Sequence, residues 1–283
     1  LVYPGDANYD GIANNNDLLE IGLGFGMNGT SRSNVSNSWQ GYLSSPWGTD
    51  TVSTGYNLKY ADCNGEGMIN SDDTLAINLN YGLTHTLRIA NQNHITTTGD
   101  IYFGSAQTIY GTNQNVAIDV YLGENTSPLT DFYGAVFTID YNDNTLIQPG
   151  SMTFSIDDNT WVGSINADAI RLTKTMEASE TIDGAICRTN HINTNGFGKI
   201  GTLRFTSSST DGSFNVSASN SYYIDNAGLQ TPLTSATYSV AISSSVSIQN
   251  YSSTSNISIY PNPNNGTFTI NNLNPKEEYQ LEV

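Results

Sequence analysis

The chain is poor in basic residues. Its 283 residues include 9 Lys and Arg against 26 Asp and Glu, which gives a formal net charge of −17. Nucleic acids and anionic membranes are therefore unfavourable partners, because both carry negative charge. No run of about 18 apolar residues occurs, so no membrane-spanning helix is expected. The only cysteines, Cys63 and Cys187, are expected either to pair in an oxidising compartment or to be two buried free thiols.

Sequence signatures of catalysis are also missing. The chain has no Gly-x-Ser-x-Gly elbow, P-loop, His-Glu-x-x-His motif or dinucleotide fingerprint. The three histidines, His85, His94 and His191, lack metal-ligand spacing and are expected on the solvated surface. Aspartates of the middle region lie in turn-like contexts, where Asp is common anyway, rather than as an evident carboxylate pair for glycoside hydrolysis. We therefore expect a protein that is not an enzyme.

Two twelve-residue segments, 6–17 and 62–73, repeat one pattern of oxygen-bearing side chains. Each has Asp, Asn or Glu at positions 1, 3, 5, 9 and 12 and glycine at position 6. This is the spacing of the EF-hand loop, with a carboxylate at position 12. A calcium ion needs six to eight oxygen ligands, and position 7 supplies one through its backbone carbonyl. The two segments therefore predict two calcium-binding loops.

The segments that follow the loops also align without a gap. Leu19, Ile21 and Leu23 correspond to Leu75, Ile77 and Leu79, and Gly26 corresponds to Gly82. The apolar residues predict two short buried helices, and the two glycines lie where helices commonly end.

A pair of such loop–helix repeats resembles the dockerin type I module. The resemblance implies the following calcium ligands: Asp6, Asn8, Asp10, the Ile12 carbonyl, Asn14 and Asp17 in the first loop, and Asp62, Asn64, Glu66, the Met68 carbonyl, Asn70 and Asp73 in the second. Two features depart from that family. Glu66 is longer than the usual Asp, and the segment 27–59 is longer than a typical linker. Its aromatic residues, among them Tyr42 and Trp47, are expected to pack as a cap over the helices, with a glycan or partner platform as the alternative.

The middle of the chain predicts short strands separated by turns. Residues 115–122 alternate, and so do residues 133–141, with Tyr133, Ala135 and Phe137 expected on one face. Further strands are predicted at 152–156, 161–165, 170–176, 185–190, 199–206, 213–218, 221–225 and 236–242. The fold class expected is mainly β: an antiparallel β-sandwich or jelly roll, with the small α-helical two-loop module before it and a partial immunoglobulin-like β segment after it.

Two stretches of this sandwich resemble the cohesin domain, the receptor for dockerins. One is 129–146, where a strand ends in a Tyr-Asn-Asp-Asn turn before Leu146, and the other is the Gly-led strand 198–205. A generic immunoglobulin-like sandwich is the alternative. The C-terminal Tyr-Pro-Asn-Pro motif at 260–263, followed by Gly-Thr-Phe, resembles the start of the sorting domain of type IX secretion substrates. That resemblance implies export to the outer surface of a Gram-negative bacterium.

The expected organisation has five parts. They are a two-loop module (1–88, with the insert at about 27–59), a polar linker (89–99), the sandwich (100–243), a Ser-rich linker (244–256) and an incomplete sorting domain (257–283). The chain opens without a basic-then-apolar leader, so we expect a signal peptide to have been removed.

Three functions compatible with these parts are kept open. The favoured hypothesis is a secreted structural or assembly protein, stabilised by two calcium ions, whose partners include other copies of itself joined head to tail into fibres. The second is a monomeric adhesin or glycan-binding protein. The third is a non-catalytic part of a larger hydrolase.

Overall fold

The computed structural model describes residues 1–48, 55–86, 99–244, 258–260 and 269–271. The chain divides into two compact units, Leu1–Ser244 and Ser245–Val283, and each is described by itself. In the described residues, no helix has both the length and the apolar character needed to cross a membrane.

The described part of the first unit contains two α-helices, α1 (Asp17–Gly24) and α2 (Asp73–Asn80), each of which begins at the last residue of a predicted loop. Short 3-10 helices span Leu58–Tyr60, Asn144–Leu146 and Glu177–Ser179. The strands of this unit are β1 (Gly99–Gly104), β2 (Ile109–Gly111), β3 (Asn115–Leu122), β4 (Leu129–Phe132), β5 (Gly134–Tyr141), β6 (Thr153–Ile156), β7 (Ala169–Met176), β8 (Thr181–Arg188), β9 (Thr194–Gly196), β10 (Gly198–Thr206), β11 (Gly212–Ile224), β12 (Gln230–Ser235) and β13 (Tyr238–Ser243).

Eleven of these strands form one curved sheet in the order β6-β10-β3-β1-β12-β11-β5-β8-β7, with β13 pairing β11 and β2. The pairs β1–β12 and β2–β13 are parallel, and the other pairs are antiparallel. Strands β6 and β7, at the two ends of this order, also contact each other, so the sheet nearly closes around its core. The prediction of a mainly β, antiparallel sandwich with a small helical module before it is confirmed.

The main core lies between the two halves of this sheet. Alternation along β3 buries Val116, Ile118, Val120 and Leu122, while the residues between them are partly exposed. Burial of each such side chain contributes roughly 1.5–3 kcal/mol, so the period-two pattern accounts for which face of the strand turns inward.

Several strand predictions are corrected by the structure. Residues 161–165 are a tight loop rather than a strand, closed by reciprocal backbone hydrogen bonds between Thr160 and Gly163. The predicted strands 213–218 and 221–225 are one strand, Gly212–Ile224, whose register shifts between Ser219 and Tyr222. Tyr133 does not share the core of Phe137 but belongs to a second cluster on the opposite face of the sheet.

The aromatic insert packs as expected where it is described. Tyr42 and Trp47 are buried, and Trp47 Nε1 donates to the Thr30 carbonyl at 3.1 Å. Both cysteines are free and buried, so the two thiols do not pair in this structure.

In the second unit, β14 (Ser258–Tyr260) and β15 (Thr269–Asn271) pair antiparallel. Both strands belong to the segment expected to be the incomplete sorting domain (257–283). The other residues of that segment lie outside the described residues, as do almost all of the two predicted linkers and most of the Tyr-Pro-Asn-Pro motif.

Candidate metal centre

Both predicted loops are held by the same hydrogen bonds. The carboxylate of Asp17, at position 12 of the first loop, accepts the backbone N–H groups of Asn8 (3.0 Å) and Asn14 (2.7 Å). Asp73 makes the two equivalent bonds in the second loop, at 3.0 and 2.9 Å. Each position-12 carboxylate therefore joins positions 3 and 9 of its own loop, which brings three predicted ligand positions together.

The position-1 carboxylates fold back onto the glycine at position 6. Gly11 N–H donates to Asp6 Oδ1 at 3.3 Å, and Gly67 N–H donates to Asp62 Oδ2 at 3.1 Å. The two glycines have φ values of +97° and +96°. Glycine adopts this left-handed region without the steric cost that a β-carbon would add, which explains the residue at this position of both loops.

The two repeats also pair with each other. Ile12 and Met68, both at position 7, form isolated β-bridges, Ile12 with Thr84 and Met68 with Asn28. These partners are equivalent residues that follow the two helices, and the flanking backbone hydrogen bonds repeat in the same way. The module is therefore a symmetric pair in which each loop is braced by the segment after the other repeat's helix.

The electrostatics of the loops favour a cation. Asp6, Asp17, Asp62 and Asp73 are buried. Burial, followed by the charges of Asp6 and Asp10, raises the pKa of Asp17 well above its usual value. Burial likewise raises the pKa of Asp6, that of Asp62 to about 6 and that of Asp73 to about 7. Repulsion between the ionised carboxylates of one loop, such as that of Asp6 and Asp10 with Asp17, would be relieved by a bound cation.

One loop carboxylate also has a buried histidine partner. His85 Nε2 lies 2.6 Å from Asp6 Oδ2, and the exposed fraction of the His85 side chain is only 5%. Its ring stacks on Tyr3 with centroids 3.8 Å apart. The expectation that His85 is solvated is therefore wrong: the residue follows α2, and the pairing of the two repeats brings it onto the first loop.

The second loop differs from the first in its surroundings. The buried guanidinium of Arg32 donates to the Cys63 carbonyl at 2.8 Å and acts electrostatically on Asp62. The carboxylate of the exposed Glu66 accepts from Asn70 Nδ2 within the same loop. The charge of Arg32 acting on Asp62 and the longer side chain at position 5 therefore distinguish this loop from the first.

The fit of calcium rests on the whole donor set rather than on acidic side chains alone. Among the described residues, no three His, Cys, Asp or Glu side chains form a cluster suited to an ion. The first loop has a further acid besides Asp6 and Asp17, namely Asp10, and its carboxylate accepts a hydrogen bond from Asn8 Nδ2 at 2.9 Å. Amide and carbonyl oxygens at the remaining loop positions would complete the set, and hard oxygen donors of this kind suit calcium.

The first repeat also covers one face of the sheet. Helix α1 contacts β8, β7 and β5, and its Leu18, Leu19 and Ile21 are buried there. The sheet contributes apolar residues from the strands and their ends, namely Tyr133, Val136, Ile170, Leu172, Ala185, Cys187 and Ile224. The strands β5 and β8 are therefore buried on both faces, one towards the sandwich core and one under the module.

Polar groups fix the position of the module on the sheet. Asn15, at position 10 of the first loop, donates through Nδ2 to the carbonyls of Gly184 (3.2 Å) and Phe137 (3.4 Å). The Tyr133 hydroxyl donates to the Gly22 carbonyl at 2.9 Å. Burial raises the pKa of Tyr133, so its phenol stays protonated and remains a donor. The first loop, as well as its helix, is therefore part of the contact.

A glycine permits the closest approach between helix and sheet. A β-carbon at Gly22 would lie 2.3 Å from the Cys187 sulfur and 2.9 Å from the Arg188 carbonyl oxygen. No larger residue fits there without displacing β8. The equivalent residue of the second repeat is the exposed Asn78, which shows that this requirement belongs to the first helix alone.

The two helices consequently have different surroundings. Leu19 of α1 is 3% exposed, while its equivalent in α2, Leu75, is 50% exposed. Sequence alignment of the repeats predicts both helices but not which one packs on the sandwich. Asn15, Gly22 and Tyr133 were missed as contact residues, and the clearest available signal was Gly22 in the middle of a predicted helix, where glycine is unfavourable.

Cohesin modules are among the solved structures similar to this chain. A type II cohesin domain from the cellulosome of Acetivibrio cellulolyticus is 12% identical, with 52% of this chain and 95% of that chain covered and a TM-score of 0.40. A type I cohesin–dockerin complex from Clostridium thermocellum is 18% identical, with 52% of this chain and 100% of that chain covered and a TM-score of 0.39. A cohesin module of a family 33 glycoside hydrolase from Clostridium perfringens is 11% identical, with 52% of this chain and 98% of that chain covered and a TM-score of 0.39. No protein-family model and no curated protein matches the chain. Similarity this low establishes no shared function.

Proposed function

We propose that the chain is a secreted, calcium-stabilised structural protein of a bacterial cell surface, which joins copies of itself head to tail. The observation that carries this proposal is the contact between the two-loop module and the sheet. It combines an apolar helix face, a glycine that permits close approach, and directional hydrogen bonds from Asn15 and Tyr133. This combination is that of a specific protein–protein contact.

The contact is made within one chain in this structure, and the same surfaces also suit a contact between chains. If the module of one copy lies on the sheet of the next, every intrachain interaction is preserved. Such an exchange needs no new interface and is a low-cost route to association. Because the two surfaces differ, the contact is heterologous and does not have to close into a ring, so it builds linear assemblies.

Calcium has a defined place in this proposal. The ligands proposed are Asp6, Asn8, Asp10, the Ile12 carbonyl, Asn14, Asp17 and their equivalents in the second loop. When the free calcium concentration is about a thousandfold above the dissociation constant of a site, binding at that site stabilises the fold by about 4 kcal/mol. Asn15 of the first loop also donates hydrogen bonds to two carbonyls of the sheet. Calcium in that loop therefore stabilises the contact between the module and the sheet as well as the module itself.

The proposed location rests on the C-terminal segment. Its Tyr-Pro-Asn-Pro motif resembles the start of a type IX sorting domain, which supports export to the outer surface of a Gram-negative bacterium. The acidic composition and the scarcity of cysteine agree with that location.

The second candidate function is a monomeric adhesin. It is favoured by the intrachain position of the contact, in which the module of the same chain already covers the face formed by β5, β7 and β8. A non-catalytic part of a larger hydrolase is compatible with the same fold.

Sedimentation velocity of the full chain, in calcium and in chelator, separates assembly from the monomer. Assembly predicts species much larger than the monomer, which increase with protein concentration in calcium and are lost in chelator. A chain that stays monomeric at high concentration in calcium would overturn the proposal.

A further inference from the structure

A polar groove lies where the first calcium loop meets the sheet. Its volume is about 410 Å³, and the residues that line it include Asn14, Asn16, Thr138, Asp183, Asn220 and Tyr222. We propose that this groove binds a neutral oligosaccharide. The proposal is independent of whether copies of the chain assemble.

The two walls of the groove come from distant parts of the chain. One wall is the end of the first loop, including Asn14 and Asn16. The other is the irregular part of β11, where the register with β5 shifts between Ser219 and Tyr222. Asn220 lies within that irregularity with φ +46° and is exposed. The shift therefore presents an amide side chain opposite the amides of the loop.

The base of the groove is fixed by hydrogen bonds. Thr138 donates to Asp183 Oδ1 at 2.7 Å, and Tyr81 donates to Asp183 Oδ2 at 2.6 Å. At the side, the Tyr222 hydroxyl donates to Asn16 Oδ1 at 3.0 Å. These bonds hold the lining residues in place before a ligand arrives, which lowers the entropic cost of binding.

The chemistry of the lining selects the class of ligand. An amide offers two donors and an acceptor, and a hydroxyl offers one donor and two acceptor lone pairs. Neighbouring hydroxyl groups of a sugar are also both donors and acceptors, so they are complementary to such a lining. Among the described residues that line the groove, Asp183 is the one acid, and both of its oxygens already accept hydrogen bonds.

Other ligand classes fit less well. No Lys or Arg is among the described residues that line the groove, and an anionic ligand would be repelled by the net charge of −17. Sites for apolar small molecules are lined mainly by apolar and aromatic side chains, whereas Tyr222 is the single aromatic residue here.

Calorimetric titration of the full chain in calcium tests this inference. The probes are hexamers of the cellulose, mannan and xylan series, with a polygalacturonate oligomer as the anionic comparison. The expected result is saturable binding of at least one neutral series at millimolar or lower concentration. Binding should weaken at least tenfold in Asn220→Gly and in Asn16→Ala.

Each groove variant has a matched control. Asn166→Gly makes the same change at another exposed asparagine with a left-handed backbone, at φ +66°. Asp72→Ala changes the residue of the second repeat that is equivalent to Asn16. Both controls should bind as the parent does. Glycine accepts the left-handed backbone of Asn220, so that variant decides the question even if Asn16→Ala is poorly folded in a thermal melt.

Three results would each overturn the inference. They are the absence of saturable binding to every neutral probe, preference for polygalacturonate, and unchanged affinity in Asn220→Gly.

Discussion

A methyl group added at Gly22 tests whether helix α1 packs directly on the sheet. The new β-carbon would lie 2.3 Å from the Cys187 sulfur, 2.9 Å from the Arg188 carbonyl oxygen and 3.0 Å from the Cys187 β-carbon. Overpacking of a well-packed contact typically costs 1–3 kcal/mol, and three close atoms place this change near the upper value of about 3 kcal/mol. The higher helix propensity of alanine offsets part of this cost, because alanine stabilises a helix interior by about 1 kcal/mol relative to glycine.

Gly22→Ala should therefore lower the free energy of unfolding by about 2 kcal/mol. The assay is equilibrium urea unfolding in calcium, followed by tryptophan fluorescence, with Asn78→Ala as the control at the equivalent exposed position. An undocked helix would give the opposite sign for Gly22→Ala, because only the gain in helix propensity would remain. A stabilised Gly22→Ala variant would thus refute the packing described here.

The other predictions concern the loop and its ion. Asn15→Ala removes two hydrogen bonds to sheet carbonyls and should cost about 1–3 kcal/mol in urea unfolding, whereas the equivalent change at the exposed Ser71 should stay within about 0.5 kcal/mol. Asp17→Ala should weaken calcium binding in a titration far more than Asn14→Ala, since position 9 of such loops commonly acts through water. Burial raises the pKa of Asp73 to about 7, so protons should compete with calcium and its affinity should fall between about pH 8 and about pH 6. In chelator the fold favours the neutral carboxyl, so stability should instead fall as the pH rises from about 4 to about 7. An unchanged urea midpoint across that pH range in chelator would contradict this reasoning.

The loops and their helices were accessible from sequence because their determinants are local. Each loop is specified by oxygen-bearing residues at fixed spacing and by one glycine, and each helix follows directly. Strands such as Asn115–Leu122 were accessible for the same reason, since one buried face produces a period-two pattern. The calcium ligands themselves stay a prediction.

Docking of the module was not accessible because it joins residues far apart in the chain. Strand β8 contains the apolar run Gly184-Ala185-Ile186-Cys187, which is typical of a strand buried on both faces. That run indicates a covering layer but does not identify it. The same holds for Gly22. A glycine inside a helix indicates that another element approaches closely, but the sequence does not show that this element is β8 at Cys187.

The merged strand β11 was missed for a different reason. Asn220 adopts a left-handed backbone and the register shifts beside it, so the alternation of apolar residues is interrupted. A pattern of period two predicts two strands there, although hydrogen bonding to β5 continues on both sides of the interruption.

Calorimetric titration of the calcium-stripped chain with calcium tests the central claim most directly. The account predicts two sites per chain, one of which is lost in Asp17→Ala and the other in Asp73→Ala. A chain that binds no calcium, or one that keeps both sites in the two variants, would contradict it.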